Sequence, residues 1–276
     1  SRRTLCRHVG LALCLLMIFT VLPVPVAASE TKTDTESKTV RVGWYPDSYH
    51  ITGENGERSG YGYEYEQAVA AYTGWNYEYI KGDWGELVEK LQNGEIDLMA
   101  ALSYTDERAE TMLFSDLPMG KEKYYLYADL TNTDISPSDL STLNGKRIAV
   151  MEESVQGTQF REWEEKQNIK TQHLDVDSFE RAKKMAGNRE IDGVISTETP
   201  AWVEAGMSAV VTIGGSDIYY GISKDRPDLK EELDAAMRSM EYDKPFYGDE
   251  LYQRYLSAQS VAVLSSEEKE WLEQHG

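Results

Sequence analysis

Cysteine and positive charge are both scarce in this chain of 276 residues, and each scarcity excludes a class of protein. The two cysteines, Cys6 and Cys14, lie near the N-terminus, so the rest of the chain has no disulfide, thiol nucleophile or thiolate metal site. Lys and Arg number 28 against 48 Asp and Glu, which gives a net charge of −20. Because a nucleic-acid-binding protein needs a basic face, we expect no nucleic-acid partner.

Motifs of common enzymes are also missing from the sequence. There is no Gly-x-Ser-x-Gly, no phosphate-binding P-loop and no His-Glu-x-x-His. The four histidines are dispersed along the chain, a spacing that does not predict a metal site. We therefore expect no metal, no cofactor and no catalytic residue.

The first 28 residues have the pattern of an export signal. Arg2, Arg3 and Arg7 precede an apolar stretch over residues 9–22, which is short for a membrane span. Small residues before Ser29 predict cleavage after position 28, and the alternative is an uncleaved N-terminal anchor. Cleavage leaves a net charge of −23, and polar residues 29–39 then form a disordered leader.

Strand and helix patterns alternate from residue 40 onward. This alternation predicts an α/β fold with mainly parallel sheets flanked by helices. The pair Gly214-Gly215 predicts a break between a strand over residues 209–213 and another over 219–223. A charged helix is expected in the final segment, residues 259–276, as an extension or a linker.

Several short motifs together resemble one protein family, because their order along the chain and the spacings between them match that family. They include Gly-Tyr-Gly-Tyr-Glu-Tyr at 60–65, Leu-Ser-Tyr-Thr-Asp-Glu-Arg at 102–108 and Ile-Asp-Gly-Val at 191–194. Further motifs lie at 82–98, 114–116, 143–150 and 220–223. The set resembles the solute-binding protein family 3, with the type II periplasmic-binding fold, over nearly all of the chain after the signal.

The resemblance implies two lobes that are joined by two crossover strands and close on a small ligand. Lobe 1 would comprise residues 40–128 and 217–258, and lobe 2 residues 129–216. The implied ligand is an amino acid or a small carboxylate, bound without catalysis.

Arg108 is the residue that carries the carboxylate hypothesis. Its planar guanidinium matches a carboxylate, and Thr105 is a candidate cap for the helix on which it lies. The family's matching positions hold an α-carboxylate, which implies ligand roles for Ser103 and Thr105, and Ala101 belongs to the same stretch. The alternative is a surface arginine paired with a neighbouring glutamate.

Aromatic side chains are the second group of candidate ligand contacts. The resemblance implies that Trp84 packs against the ligand, with Tyr49 or Tyr45 from the first loop as its partner. The alternative for each ring is packing in the core, for which aromatic residues are well suited.

The predicted second lobe departs from the family pattern. Ser154 keeps a helix cap that the family uses for the carboxylate, but Glu153 stands where a glycine is common. The family's amine-binding aspartate is replaced by Thr197, which carries no charge, and Glu198 or Glu152 are candidate substitutes. Their alternative role is that of a solvated acidic rim.

Two settings are open for such a binding module. It is either the receptor of an ABC importer, with a permease as partner, or the input domain of a sensor with a downstream signalling domain. The tyrosine-rich motif and the C-terminal segment look more like the sensors. Localisation would be periplasmic or on the extracellular face of the cytoplasmic membrane. The alternatives are a dehydratase of the cyclohexadienyl or arogenate type, with Glu198 or Glu152 as general acid, and a spacer that binds nothing.

Overall fold

The computed structural model describes residues 37–131 and 133–257. Its strands are β1 Thr39–Trp44, β2 Ile51–Thr52, β3 Arg58–Ser59, β4 Asn76–Lys81, β5 Leu98–Ser103, β6 Met112–Phe114, β7 Gly120–Ala128, β8 Arg147–Met151, β9 Gln172–Val176, β10 Gly193–Thr197 and β11 Ser208–Ser223. Nine of these strands form one mixed sheet in the order β4-β1-β5-β11-β7-β10-β8-β9, with β6 paired to β11. Strands β2 and β3 form a separate hairpin.

Eight α-helices connect and flank these strands in the described residues. Several begin at capping side chains that the sequence supplies, including Thr105, Ser154 and Ser178. The helices are α1 Tyr61–Thr73, α2 Trp84–Gln92, α3 Asp106–Thr111, α4 Val155–Gln167, α5 Phe179–Gly187, α6 Pro200–Glu204, α7 Pro227–Asp243 and α8 Tyr247–Tyr255. The predicted α/β class, with parallel strands and flanking helices, is confirmed.

The sheet divides into two lobes, each with its own apolar cores. Strands β4, β1 and β5 are parallel and pack in cores that include Val42 and Leu98. Strands β10, β8 and β9 are likewise parallel and pack in cores that include Ile148 and Val194. Strands β7 and β11, antiparallel to each other, run from one lobe to the other. The predicted two-lobe architecture is therefore present, while the residue boundaries of the lobes stay a prediction.

The break predicted at Gly214-Gly215 is wrong. One strand, β11, continues from Ser208 to Ser223, and register shifts along its pairing with β7 absorb the irregularity. A Cβ atom at Gly215 would lie 2.6 Å from the backbone oxygen of Glu122 on β7. The glycine therefore permits a close approach of the two crossover strands and does not end either of them.

Three predictions concern segments beyond the described residues. The structure does not describe the predicted export signal at 1–28 or the predicted extension at 259–276. Of the predicted leader at 29–39, it describes only the last three residues. Within those parts, no helix is both long enough and apolar enough to span a membrane.

Candidate ligand-binding site

A cavity of about 100 Å³ lies between the two lobes. The first lobe contributes the loop after β1, the start of α2, the end of β5 and helix α3, and the second contributes the starts of α4 and α5 and the end of β10. Crossover strand β7 lies at the same cavity. The lining residues are Tyr45, Asp47, Tyr49, Trp84, Ala101, Ser103, Arg108, Glu122, Tyr124, Met151, Ser154, Val155, Gln156, Phe179, Ser196 and Thr197.

Arg108 is held at the cavity by its own helix and by the preceding strand. Its backbone N–H donates to Thr105 Oγ1 at 3.1 Å, which confirms the predicted cap, and its Nη1 donates to the Ser103 carbonyl at 2.9 Å. Burial lowers the pKa of the guanidinium, which nevertheless stays charged. Among the described residues, the ion pairs include no carboxylate within 4.0 Å of it. The cation therefore faces the cavity without a carboxylate in ion-pair contact, and Glu107, Glu153 and Glu122 act on it only from a longer distance.

A chain of hydroxyl groups continues from Arg108 along the crossover strands. Ser103 Oγ lies 2.9 Å from Ser216 Oγ, which donates to it, and 3.3 Å from Tyr124 Oη. Two residues before Ser103 on β5, Ala101 has φ +61°, a left-handed conformation that is unfavourable for a residue with a Cβ atom. Strained backbone of this kind concentrates at functional sites.

The predicted aromatic residues meet at one end of the cavity. Tyr45 and Trp84 pack edge to face, with ring centroids 5.8 Å apart. The Tyr45 hydroxyl accepts a hydrogen bond from the Phe179 N–H of the second lobe at 3.2 Å. Tyr49 is buried against Tyr61, so its ring belongs to the core while its hydroxyl reaches the cavity.

The second lobe presents a helix start and neutral side chains. Ser154 Oγ caps α4 by accepting from the Gly157 N–H at 3.1 Å, and Val155 and Gln156 in the first turn line the cavity. The positive end of this helix macrodipole and its unpaired N–H groups favour an anion. Thr197 lies at the end of β10 beside the same cavity.

Eight of the ten residues predicted from the sequence line this cavity, and two do not. Thr105 lies behind Arg108 as the helix cap. Glu198 is buried and accepts a hydrogen bond from the Tyr252 hydroxyl of α8, and Glu152 is exposed. Neither carboxylate that was considered as a substitute for the missing aspartate is therefore among the lining residues.

Two acidic residues at the cavity were missed by the sequence analysis. Glu122 on β7 is 8% exposed, and its Oε1 accepts from the Tyr49 hydroxyl at 2.7 Å. Asp47, in the loop after β1, accepts from the backbone N–H groups of Tyr49 and His50. Burial raises the pKa of Glu122 to about 7 and that of Asp47 to about 6. Together with Arg108 they are the charged side chains of the described lining.

No group of three or more histidine, cysteine, aspartate or glutamate residues within the described ranges has a geometry that could hold a metal ion. The donors at the cavity are instead a guanidinium, backbone N–H groups and hydroxyl groups, with two carboxylates as acceptors. This set suits a small organic molecule that carries charged groups.

Two lobes joined by crossover strands, with a charged cavity between them, define a protein that binds a small solute. The model of the family "Bacterial extracellular solute-binding proteins, family 3" matches residues 39–258, and the chain belongs to this family. The resemblance inferred from the sequence motifs is thereby confirmed.

A curated relative matches this chain over part of its length. The L-cystine-binding protein TcyJ of Bacillus subtilis (strain 168) is 29% identical over 148 residues, which are 52% of this chain and 54% of the relative. The match thus spans about half the length of that protein.

Solved structures confirm the fold over a longer span. An ancestral arginine-binding protein bound to glutamine matches with a TM-score of 0.67 at 24% identity, over 79% of this chain and 97% of that one. A histidine kinase sensor domain with similarity to periplasmic binding proteins matches with a TM-score of 0.65 at 16% identity, over 80% and 96%.

Proposed function

We propose that this chain is an exported binding protein that closes its two lobes on an amino acid or a closely related carboxylate. The observation that carries the proposal is Arg108, a half-buried guanidinium at the interlobe cavity with no carboxylate within ion-pair distance among the described residues. A buried charge is costly without a counter-charge, and a ligand carboxylate supplies one.

Both lobes take part in this binding, and closure is therefore coupled to it. The carboxylate lies between Arg108 of the first lobe and the start of α4, with Ser154, in the second. A ligand that contacts both lobes favours the closed state over the open one. The rings of Trp84 and Tyr45 cover the apolar part of the ligand, and Ala101, Ser103 and Thr197 complete its surroundings.

We assign the chain as the receptor of an ABC importer, which acts in the periplasm or at the outer face of the cytoplasmic membrane. The family to which it belongs is extracellular, and the curated relative is itself a binding protein. A sensor input domain shares the fold, and pull-down with the cognate permease distinguishes the two settings.

A second candidate function is an enzyme of the dehydratase type. Glu152 and Glu198, the general acids first considered, are not lining residues, but Glu122 has a pKa near neutrality beside Arg108, as a general acid requires. Incubation with arogenate and prephenate, followed by chromatography of the products, tests this function directly. The absence of turnover, together with binding of amino acids, favours the receptor. The spacer alternative is disfavoured because Trp84 and Arg108 both line the cavity.

A thermal-shift screen of the standard amino acids, L-cystine and small carboxylates tests the proposed function. A ligand at concentration [L] stabilises the protein by RT ln(1 + [L]/Kd), so hits are ranked by affinity. Arg108→Ala removes a charge-assisted interaction of about 1.5–3 kcal/mol, which corresponds to a loss of affinity of roughly 10- to 150-fold.

The matched control is Arg147→Ala, which removes an arginine that is paired with Asp192 away from the cavity. This variant is expected to keep its affinity. Binding that is equally strong in wild type and Arg108→Ala would refute the role of Arg108, and no hit at all would support the spacer.

A further inference from the structure

The two carboxylates at the cavity are not in ion-pair contact with a basic side chain of the described residues, and the charges of Arg108 and His50 act on Glu122 and Asp47 from a longer distance. Among the described residues, neither Glu122 nor Asp47 forms an ion pair within 4.0 Å. The lysines beside Glu122 on β7, Lys121 and Lys123, are exposed because side chains alternate along a strand, and Lys123 lies over the Tyr252 ring.

The contacts of Glu122 fix its position without neutralising its charge. The Tyr49 hydroxyl donates to its Oε1 at 2.7 Å, and Tyr124 lies on the same face of β7. Asp47 is tied to the Tyr49 backbone N–H at 2.7 Å, so Tyr49 holds the two carboxyl groups near each other. Their mutual repulsion raises the pKa of Glu122 further, beyond the larger effect of burial. A positive charge placed beside the two carboxylates would offset both the cost of burying them and their mutual repulsion.

Among the residues that the structure describes, the second lobe contributes no carboxylate to the lining of this cavity. Its lining residues are neutral: Met151, Ser154, Val155, Gln156, Phe179 and Ser196, with Thr197 where an acidic residue is expected. Arg108 and Glu122 line one small cavity but are not within ion-pair distance of each other. The cavity thus has a positive and a negative part, both formed by the first lobe and the crossover strand.

We propose that Glu122, supported by Asp47, binds an ammonium group of the ligand, so that the ligand must carry a carboxylate and an ammonium group together. This inference rests on the proposed function, because it takes the carboxylate to be at Arg108. In the family pattern an aspartate of the second lobe binds the amine, whereas here the amine is bound by crossover strand β7. The ligand must therefore be a zwitterion or a cation.

Pairs of ligands that differ only in the amine test the assignment. L-glutamine is compared with glutaramic acid, and L-arginine with 5-guanidinopentanoic acid, since each second compound lacks only the α-amine. Isothermal titration calorimetry at pH 8 gives the affinity of each compound for wild type, Glu122→Gln and Arg108→Ala. L-cystine and the other standard amino acids are measured with the wild type in addition.

We expect wild type to prefer an amino acid to its deaminated counterpart by at least 100-fold. Glu122→Gln should weaken binding of the amino acid at least tenfold and leave the deaminated compound unchanged or tighter. Arg108→Ala should weaken both compounds of a pair, because both carry the carboxylate.

Two results separate the failure of this inference from the failure of the proposed function. If amino acids bind and depend on Arg108, but Glu122→Gln weakens both compounds of a pair equally or neither, the ammonium assignment is wrong while the receptor stands. If no amino acid binds to wild type, both are wrong.

Two further variants complete the design. Glu164→Gln changes an equally buried carboxylate on α4, which is hydrogen-bonded to Thr171 and His173 and does not line the cavity, and it should not alter ligand preference. Asp47→Asn should shift the preference in the same direction as Glu122→Gln but less. It repeats the test if the Glu122 variant does not fold.

Discussion

Replacing Glu122 with glutamine should make the ligand-free protein more stable above pH 7. Burial, as the largest cause, raises the pKa of this carboxyl to about 7 from its ordinary value of 4.5. A carboxyl whose pKa is raised binds its proton more tightly in the folded than in the unfolded chain. Its contribution to stability is therefore complete below pH 4.5 and is lost as the pH rises through 7.

The size of the effect follows from the two pKa values. The interval between 4.5 and about 7 corresponds to a loss of about 3 kcal/mol of unfolding free energy at pH 8. Glutamine stays neutral at every pH and can still accept from the Tyr49 hydroxyl. We allow about 1 kcal/mol for hydrogen bonds that an amide makes less well than a carboxylate. The variant should then gain about 2 kcal/mol, or about 4–8 °C in Tm, at pH 8.

Thermal unfolding of both proteins at pH 4.5 and pH 8, without ligand, measures this difference. The other titratable groups that face Glu122, namely Asp47, Tyr49, Tyr124 and Arg108, are present in both proteins, so the variant-minus-wild-type difference isolates Glu122. Glu164→Gln is the control, and it should lose stability at both pH values. A Glu122→Gln variant that is equally destabilised at pH 4.5 and pH 8 would contradict the reasoning.

Three further substitutions probe the structure around the cavity. Ala101→Gly should raise the unfolding free energy by up to about 1 kcal/mol, because φ +61° suits glycine, and urea unfolding measures it. Gly215→Ala should lower the unfolding free energy by about 1–3 kcal/mol in the same assay, because the new Cβ atom would lie 2.6 Å from the Glu122 carbonyl oxygen. Glu66→Ala should lower the unfolding free energy by about 3–5 kcal/mol, because it leaves the buried His50 ring and two tyrosine hydroxyl groups without their acceptor. An unchanged denaturation midpoint would contradict this hydrogen-bond network.

Local sequence patterns predicted the α/β class and the helix start that carries Arg108, whereas the two-lobe fold and a ligand role for Arg108 were implied by the family resemblance. Strand and helix periodicity defines the α/β class, and the Thr105 cap with Ser103 at the end of β5 places Arg108 at a strand-to-helix junction. Glu122 could not be found in this way. Glu122 lies between two lysines, and a run of three charged residues is typical of a solvated surface. The alternation of side chains along β7 nevertheless places Glu122 on the buried face with Tyr124. Its environment is created by Tyr49, which is 73 positions away in the chain.

The two lobes also touch directly, independently of any ligand charge. Ser48 Oγ, in the loop after β1, lies 2.7 Å from Thr199 Oγ1, which precedes α6 in the second lobe. This pair lies beside the cavity, and Ser48 is not a lining residue. The contact therefore stabilises the observed arrangement of the two lobes, and neither hydroxyl belongs to a lining residue that could contact charged groups of the ligand.

Ser48→Ala should lower the population of the closed state and weaken all ligands equally. One neutral hydrogen bond contributes about 1 kcal/mol, which corresponds to a roughly fivefold loss of affinity. The loss should be the same for L-glutamine and glutaramic acid, because the apparent affinity scales with the population of the binding-competent state, whatever the ligand. Calorimetry on the two compounds measures it, with Glu122→Gln as the contrasting variant. A loss confined to the amino acid would mean that Ser48 acts on the ammonium group and not on closure.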